Sequence, residues 1–436
     1  MRPRGASPGS PPPASLAWLG WGLGALLYLI AYYHRVAPAV ITRELSIDFG
    51  LSGAALGNLS AFYFYSYVAV QIPTGLLADR WGPRRLLTLG AALTAGGTLL
   101  FALAPAAGWA EAGRFAIGAA AGVAFVSMLK LASHWMHARQ FALASGVALF
   151  VGVMGATLAG APLRALVDAF GWRPVMIGSA SFTAAVAVAI WLVVRDDPSE
   201  RGYASFSPEH AHPAGASMAA QLREVAGHRI AWLMVAVPGG ICAIILTFPG
   251  LWGVPFLVTQ YGFSPREAAA TCSAMLVSWA LACVAAGPLS ERLGRRKPIY
   301  AGGLATMLAL WSIVVLVPGL PRAALLAVLI AVSIASGSFI LTFALAKESV
   351  PAHLAGSISG IANMGIMLGG MLMQPLVGYV LDLHWGGRME GGVRIYDFGA
   401  YRWAFASMLV WGLASLAMTA LIRETWCRPQ GSPPAS

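Results

Sequence analysis

Two ionisable side chains stand out inside long apolar runs, and both are basic. Arg35 follows the run Leu16 to Tyr33, within Ala31-Tyr32-Tyr33-His34-Arg35-Val36-Ala37-Pro38, and Lys130 sits in Val126-Ser127-Met128-Leu129-Lys130-Leu131-Ala132. A charge among apolar residues at membrane depth is expensive and marks a functional position unless the side chain reaches water. A guanidinium grips a carboxylate with two parallel N–H donors and an ammonium adds a point charge, so the chemistry on offer is recognition of an anion. The alternative is that each side chain snorkels to its nearer surface, Arg35 toward the outside and Lys130 toward the opposite end.

Other side chains could serve the same chemistry. Tyr63, Tyr67 and Gln71 are spaced i, i+4, i+8 and share one helical face, offering hydroxyl and amide contacts or, equally, aromatic packing. His34 titrates near neutrality and is the candidate for a coupling proton, against a packing or cavity-lining role. Trp252 and Asn363 are candidates from the second half of the chain. No Asp or Glu falls near the middle of an apolar run; Glu111, Asp168, Glu267, Glu348 and Asp382 all lie toward ends. No nucleophile constellation, metal-ligand cluster or Gly-rich phosphate loop appears, so no catalytic residue, metal or cofactor is expected, and enzymes and ATP-driven pumps are disfavoured. The four cysteines lack C-x-x-C spacing and read as packing residues.

The elements that must position these groups are membrane spans. Of 436 residues, 58% are hydrophobic and 10% charged, with mean hydropathy +0.71, whereas a soluble domain carries about a quarter charged residues. A span takes about 20 apolar residues, and twelve helices are expected, at roughly 16–41, 53–78, 86–105, 110–136, 141–166, 172–194, 229–258, 265–290, 298–317, 322–348, 354–382 and 400–423. The reading is therefore all-α and integral to the membrane: a disordered cytoplasmic tail at 1–15, a six-helix bundle at 16–194, a cytoplasmic linker at 195–228, a second six-helix bundle at 229–423 and a disordered tail at 424–436.

One polar island interrupts the runs twice. Gly75-Leu76-Leu77-Ala78-Asp79-Arg80-Trp81-Gly82-Pro83-Arg84-Arg85 reads as a loop, and it returns as Gly287-Pro288-Leu289-Ser290-Glu291-Arg292-Leu293-Gly294-Arg295-Arg296-Lys297. Gly75, Asp79, Arg80 and Gly82 are each answered 212 residues later, so the chain is two copies of one unit. The basic residues of both islands, with Arg139, share one side. That distribution makes the net charge of +11 a report on topology and not on nucleic acid, and it places this side and both termini in the cytoplasm of an inner or plasma membrane.

Twelve helices in two halves, with G-x-L-A-D-R-x-G after the second and a degenerate G-x-L-S-E-R-x-G after the eighth, resemble the major facilitator superfamily of transporters. Gly113-Arg114-Phe115-Ala116-Ile117-Gly118 is similar to that superfamily's Arg-containing segment. The resemblance implies alternating access by two bundles rocking about a site near the midplane. It implies also that Asp79 and Arg80, with Gly75, Gly82, Arg84, Arg114, Glu291 and Arg292, latch the cytoplasmic side. The segment around Arg35 is similar to the first helix of organophosphate antiporters and related organic-anion transporters, where an arginine binds the substrate's anion. Their second arginine, on the seventh helix, is lacking in Ile241-Cys242-Ala243-Ile244-Ile245-Leu246-Thr247. What the resemblance implies is a monomeric secondary transporter of a small organic anion of carboxylate type. The alternatives are drug or metabolite efflux, disfavoured by the lack of a G-x-x-x-G-P-x-x-G-G run and of a buried carboxylate, and a non-transporting sensor on the same fold.

Overall fold

The computed structural model describes residues 10–206 and 218–428. The first half contains α1 (Ala14–Val40), α2 (Thr42–Phe49), α3 (Gly53–Leu103), α4 (Ala107–Trp135), α5 (Ala138–Leu158), α6 (Ala161–Phe170) and α7 (Trp172–Val193). The second contains α8 (Met218–Gly227), α9 (Arg229–Thr247), α10 (Gly253–Tyr261), α11 (Pro265–Arg292), α12 (Lys297–Leu316), α13 (Arg322–Ser336), α14 (Leu341–Glu348), α15 (Ala355–Leu383) and α16 (Phe398–Thr419), with a small hairpin of β1 (Met389–Glu390) and β2 (Val393–Arg394) before α16. Among the described residues ten stretches are long and apolar enough to cross a bilayer. The first part of α3 and α16 complete the twelve-helix, all-α integral membrane fold. Helices suit this solvent because each satisfies its own backbone donors and acceptors where lipid cannot. Large apolar side chains such as Leu281, Val284, Trp403 and Val410 are correspondingly more than half exposed on the protein surface, where lipid tails would meet them.

Several expected helices are broken where the sequence removes or frees a backbone bond. The island at 75–85 is not a loop: α3 runs through it and departs from helical geometry at Gly82 alone, with φ 75° and ψ 158°. Pro83 explains the brevity of this break, because proline fits the first turn of a new helix and forces the residue before it into an extended backbone. The second island is a short turn between α11 and α12, again with a left-handed glycine, Gly294, at φ 62°. Both glycines thus have a positive φ, 212 positions apart. The span expected at 229–258 is α9 and α10 joined by a π turn, Phe248–Trp252, where Pro249 has no N–H to continue the α ladder.

The ends expected to be loose are in part tied down. The Ala204 N–H donates to the Ser10 carbonyl, and the stretch after α7 forms a 3-10 turn, Pro198–Arg201, capped by Asp197. By packing, the chain forms two units: Met1–Arg35 with Tyr65–Ala159 and Leu166–Ala214, and Val36–Phe64 with Gly160–Ala165 and Gly215–Ser436. The second unit therefore takes in the end of α1, all of α2 and the first turns of α3. The first unit's core gathers Trp21, Leu27, Met128, Trp135 and Ile190. The second is built on aromatic rings, with Phe248 lying 5.2 Å from Trp311 and 5.5 Å from Phe405, edge to face.

Candidate functional site

Arg35 lies in the last two turns of α1 and is buried. Its guanidinium carbon is 4.2 Å from the ring centroid of Tyr32, one turn earlier on the same helix, and 5.6 Å from that of Tyr67 on α3. Tyr28, a further turn back, donates its hydroxyl to the Tyr32 oxygen at 3.1 Å and packs on Phe125 at 5.3 Å. A ring face attracts a cation by about 0.5–2 kcal/mol and does so without cancelling its charge. Gln71, one turn beyond Tyr67, is half-buried, and its Oε1 has no hydrogen-bond partner among the described residues. Arg35, Tyr67 and Gln71 thus come from the first unit. Tyr63 is buried in the second, its ring meeting Phe64 edge-on at 5.4 Å.

His34 faces other partners than its neighbour Arg35. Its Nε2 lies 3.2 Å from both the Thr98 hydroxyl on α3 and the Ser179 hydroxyl on α7. Arg114 of α4, itself buried, donates from Nη1 to the His34 carbonyl at 2.6 Å. This arrangement ties four helices of the first unit together through polar groups. Lys130 is half-buried on α4 and Asn363 half-buried on α15. Trp252 is fully packed: its indole N–H donates to the Gln374 carbonyl at 3.0 Å, so only its ring remains to be presented.

Of the island residues, the surroundings of Gly75 and the side chain of Asp79 lie outside the described set, and Arg80, Glu291 and Arg292 are exposed. Gly82 could not be any other residue, since a Cβ there would lie 2.6 Å from the Asp196 carboxylate oxygens. Asp196 accepts the Arg84 N–H at 2.6 Å, and the Arg84 guanidinium stacks on Trp191 at 4.2 Å while donating to the Trp191 carbonyl at 2.8 Å. Burial holds Asp196 above its usual carboxylate range, against the pull of the Arg84 N–H.

The second half repeats this cap at the equivalent residue. The Arg296 N–H, 212 positions after that of Arg84, donates to Glu424 at 2.9 Å. Asp196 and Glu424, both just past the last span of their half, therefore each hold the start of the helix that follows an island, where a carboxylate meets the exposed N–H groups and the positive helix end. Neither was singled out from sequence, although the dipeptides Arg195-Asp196 and Arg423-Glu424 in the two halves carry the signal. Residues 424–428, expected in a disordered tail, are docked here: Thr425 donates to Glu348, Cys427 to the Ser290 carbonyl, and Trp426 receives the Arg295 guanidinium at 4.8 Å. Loss of a helix cap costs about 0.5–2 kcal/mol. Glu424→Ala is accordingly expected to speed hydrogen exchange in the first turn of α12 by about 2- to 30-fold, read by mass spectrometry.

Comparison with known proteins agrees with this architecture. The profile of the Major Facilitator Superfamily matches residues 21–374. A probable sulfoacetate transporter, SauU, of Cupriavidus necator is 24% identical over 376 residues, covering 83% of this chain and 86% of that one. A probable nitrate/nitrite transporter, NarK2, of Mycobacterium tuberculosis is 26% identical over 362 residues, covering 80% and 85%. Among solved structures, a bacterial homologue of the human lysosomal transporter Spinster superposes with a TM-score of 0.77 at 18% identity, covering 97% of this chain and 100% of that one, and so shares the fold. The match over most of the chain, the duplicated islands and the twelve spans establish the same point: the chain belongs to the major facilitator superfamily.

Proposed function

We propose that this transporter moves a small organic anion of carboxylate type across the inner or plasma membrane by alternating access, with both termini in the cytoplasm. The observation that carries the reading is the buried Arg35 guanidinium laid over the rings of Tyr32 and Tyr67. A charge kept at this depth needs a reason, and a buried guanidinium lined by aromatic rings suits recognition of an anion. The named relatives are a probable sulfoacetate transporter and a probable nitrate/nitrite transporter, and these solutes are anions. In this reading Tyr67 and Gln71 contribute hydroxyl and amide contacts, Lys130 a second positive charge, and Asn363 a further polar contact. Tyr63 and Trp252 add ring surface, and His34 braces the helix that carries Arg35.

The test is ligand-induced stabilisation of the purified protein by a panel of small carboxylates and sulfonates, followed by uptake into proteoliposomes, since a ligand that binds the native state raises its melting temperature. Arg35→Gln is expected to bind the responding anion about 10- to 100-fold more weakly, the loss of a charge-assisted pair. Arg35→Lys is expected to fall between, retaining charge without the fork. Uptake by Arg35→Ala at the parent rate would refute the anion site.

A further inference from the structure

The second unit contains a carboxylate that the transport reading does not use. Asp382, in the last turn of α15, reaches the start of α3: its Oδ1 accepts the Gly53 N–H at 3.0 Å and its Oδ2 the Ala54 N–H at 2.8 Å. The Ser52 hydroxyl takes the next donor, the Ala55 N–H, at 3.3 Å. Three of the four orphan donors at this helix start are therefore satisfied, two of them by a residue more than 300 positions away. The hairpin before α16 completes the assembly. Tyr396 donates its hydroxyl to Asp382 at 2.7 Å and accepts the Gly53 N–H at 3.1 Å, and Arg394 pairs with the same carboxylate at 3.1 Å. Gln260 of α10 anchors the hairpin by donating to the Tyr396 carbonyl at 2.8 Å. Burial, together with the bonded Asp382, holds the Tyr396 hydroxyl well above its ordinary pKa, so it stays a donor.

Below this cap the two helices touch along a seam with helical spacing. Gly53 and Gly57 on α3 meet Gln374, Gly378 and Asp382 on α15, each set four residues apart. A Cβ at Gly57 would lie 2.8 Å from the Pro375 Cα, one at Gly53 2.8 Å from the Gly378 carbonyl oxygen, and one at Gly370 2.7 Å from the Phe64 ring. Small residues on both sides allow this approach. Toward the other end of α15, a Cβ at Gly356 or Gly360 would meet no atom within 4 Å.

We propose that Asp382 is a lock on the face opposite the basic islands, the outer face by charge distribution: its carboxylate clamps the start of α3 to the end of α15, and opening of that face requires its release. This rests on alternating access and not on the identity of the cargo. The capped donors are backbone groups, so the lock can break and re-form without a specific partner side chain on α3, and Arg394 and Tyr396 keep the carboxylate aimed in the interval.

The test is accessibility. In a background with the four cysteines replaced by serine, Ala61→Cys places a thiol one turn below Gly57 at a position that is fully buried. Labelling by a membrane-impermeant maleimide added outside is expected to be slow with Asp382 in place and about tenfold faster with Asp382→Asn, because the locked state loses the interaction that favours it. Should Asp382→Asn fail to reach the membrane folded, Tyr396→Phe and Arg394→Gln leave the carboxylate and are expected to raise labelling by a smaller factor. Unchanged labelling in the folded variants overturns the lock. The readout needs no substrate, so a failure of anion binding at Arg35 would leave it standing, and unchanged labelling would leave the anion site standing.

Discussion

Gly155→Leu is expected to abolish nearly all monodisperse, folded protein. Gly155 of α5 faces the backbone of α1, where a Cβ would overlap the Leu29 carbonyl oxygen and lie 2.9 Å from its carbonyl carbon. Backbone inside a membrane helix cannot step aside as a side chain can, so α1 and α5 would have to separate along their seam, moving the helix that carries Tyr28, Tyr32 and Arg35. Overpacking typically costs about 1–3 kcal/mol and more when the neighbour is rigid. Two neighbouring glycines calibrate the effect. A Cβ at Gly152 would lie 2.9 Å from the ring of Tyr28, which can rotate, so Gly152→Ala should be milder. At Gly146 nothing lies within 4 Å, and Gly146→Ala should be neutral or stabilising by up to about 1 kcal/mol through helix propensity. The measure is the fraction surviving detergent extraction and size exclusion. Recovery and melting of Gly155→Leu like the parent would show that the two helices are not packed as described.

What could be read from the residues alone is what depends on composition and repetition. Apolar runs announced twelve spans, and the recurrence of Gly82 at Gly294 marked the chain as two copies of one unit. Which side of a helix a charged residue faces was not legible. His34 and Arg35 are adjacent, yet one meets Thr98 and Ser179 and the other Tyr32 and Tyr67, because consecutive residues on a helix point about 100° apart and only the neighbouring helices decide what each meets. The acids were passed over for a related reason. A search for charge at mid-membrane discards Glu348 and Asp382 as belonging to helix ends, and it is at ends that a carboxylate finds unsatisfied N–H groups or a partner arginine. The break at Phe248–Trp252 was not legible: the run at 229–258 reads as one span, and Pro249 within it does not by itself tell a π turn from a continuous helix.

The second prediction with a large effect concerns the ion pair at the second island. Arg296 is 7% exposed and donates from Nε and Nη2 to the same Glu348 oxygen, at 3.2 and 2.9 Å, and from Nη1 to the Ser290 hydroxyl. Burial works against its charge, and the hydrogen bonds and field of Glu348 more than offset this, leaving the Arg296 pKa above the ordinary arginine value. Removing one member of such a pair strands the other. Arg296→Met should cost about 3–5 kcal/mol, since Glu348 would keep only the Thr425 hydroxyl. Glu348→Leu should be comparable, because the exposed Glu291, 3.5 Å from Nη2, is a poor substitute. The double variant should be far milder than the sum, as a buried pair replaced by apolar side chains of similar volume is often neutral. In the first half the equivalent residue is bound differently: the Arg84 guanidinium bonds to the Trp191 carbonyl, and the Asp196 cap is taken by its backbone N–H, which any substitution but proline retains. Arg84→Met should therefore cost only about 1 kcal/mol, the worth of an exposed hydrogen bond and a ring contact. Thermal melting of the four variants in detergent decides the matter. Additive losses for Arg296 and Glu348, or equal losses for Arg84 and Arg296, would mean that the duplicated islands are held by the same forces. A strong coupling confined to the second would mean that one ancestral loop has acquired a charged core in one copy and kept an open backbone clasp in the other.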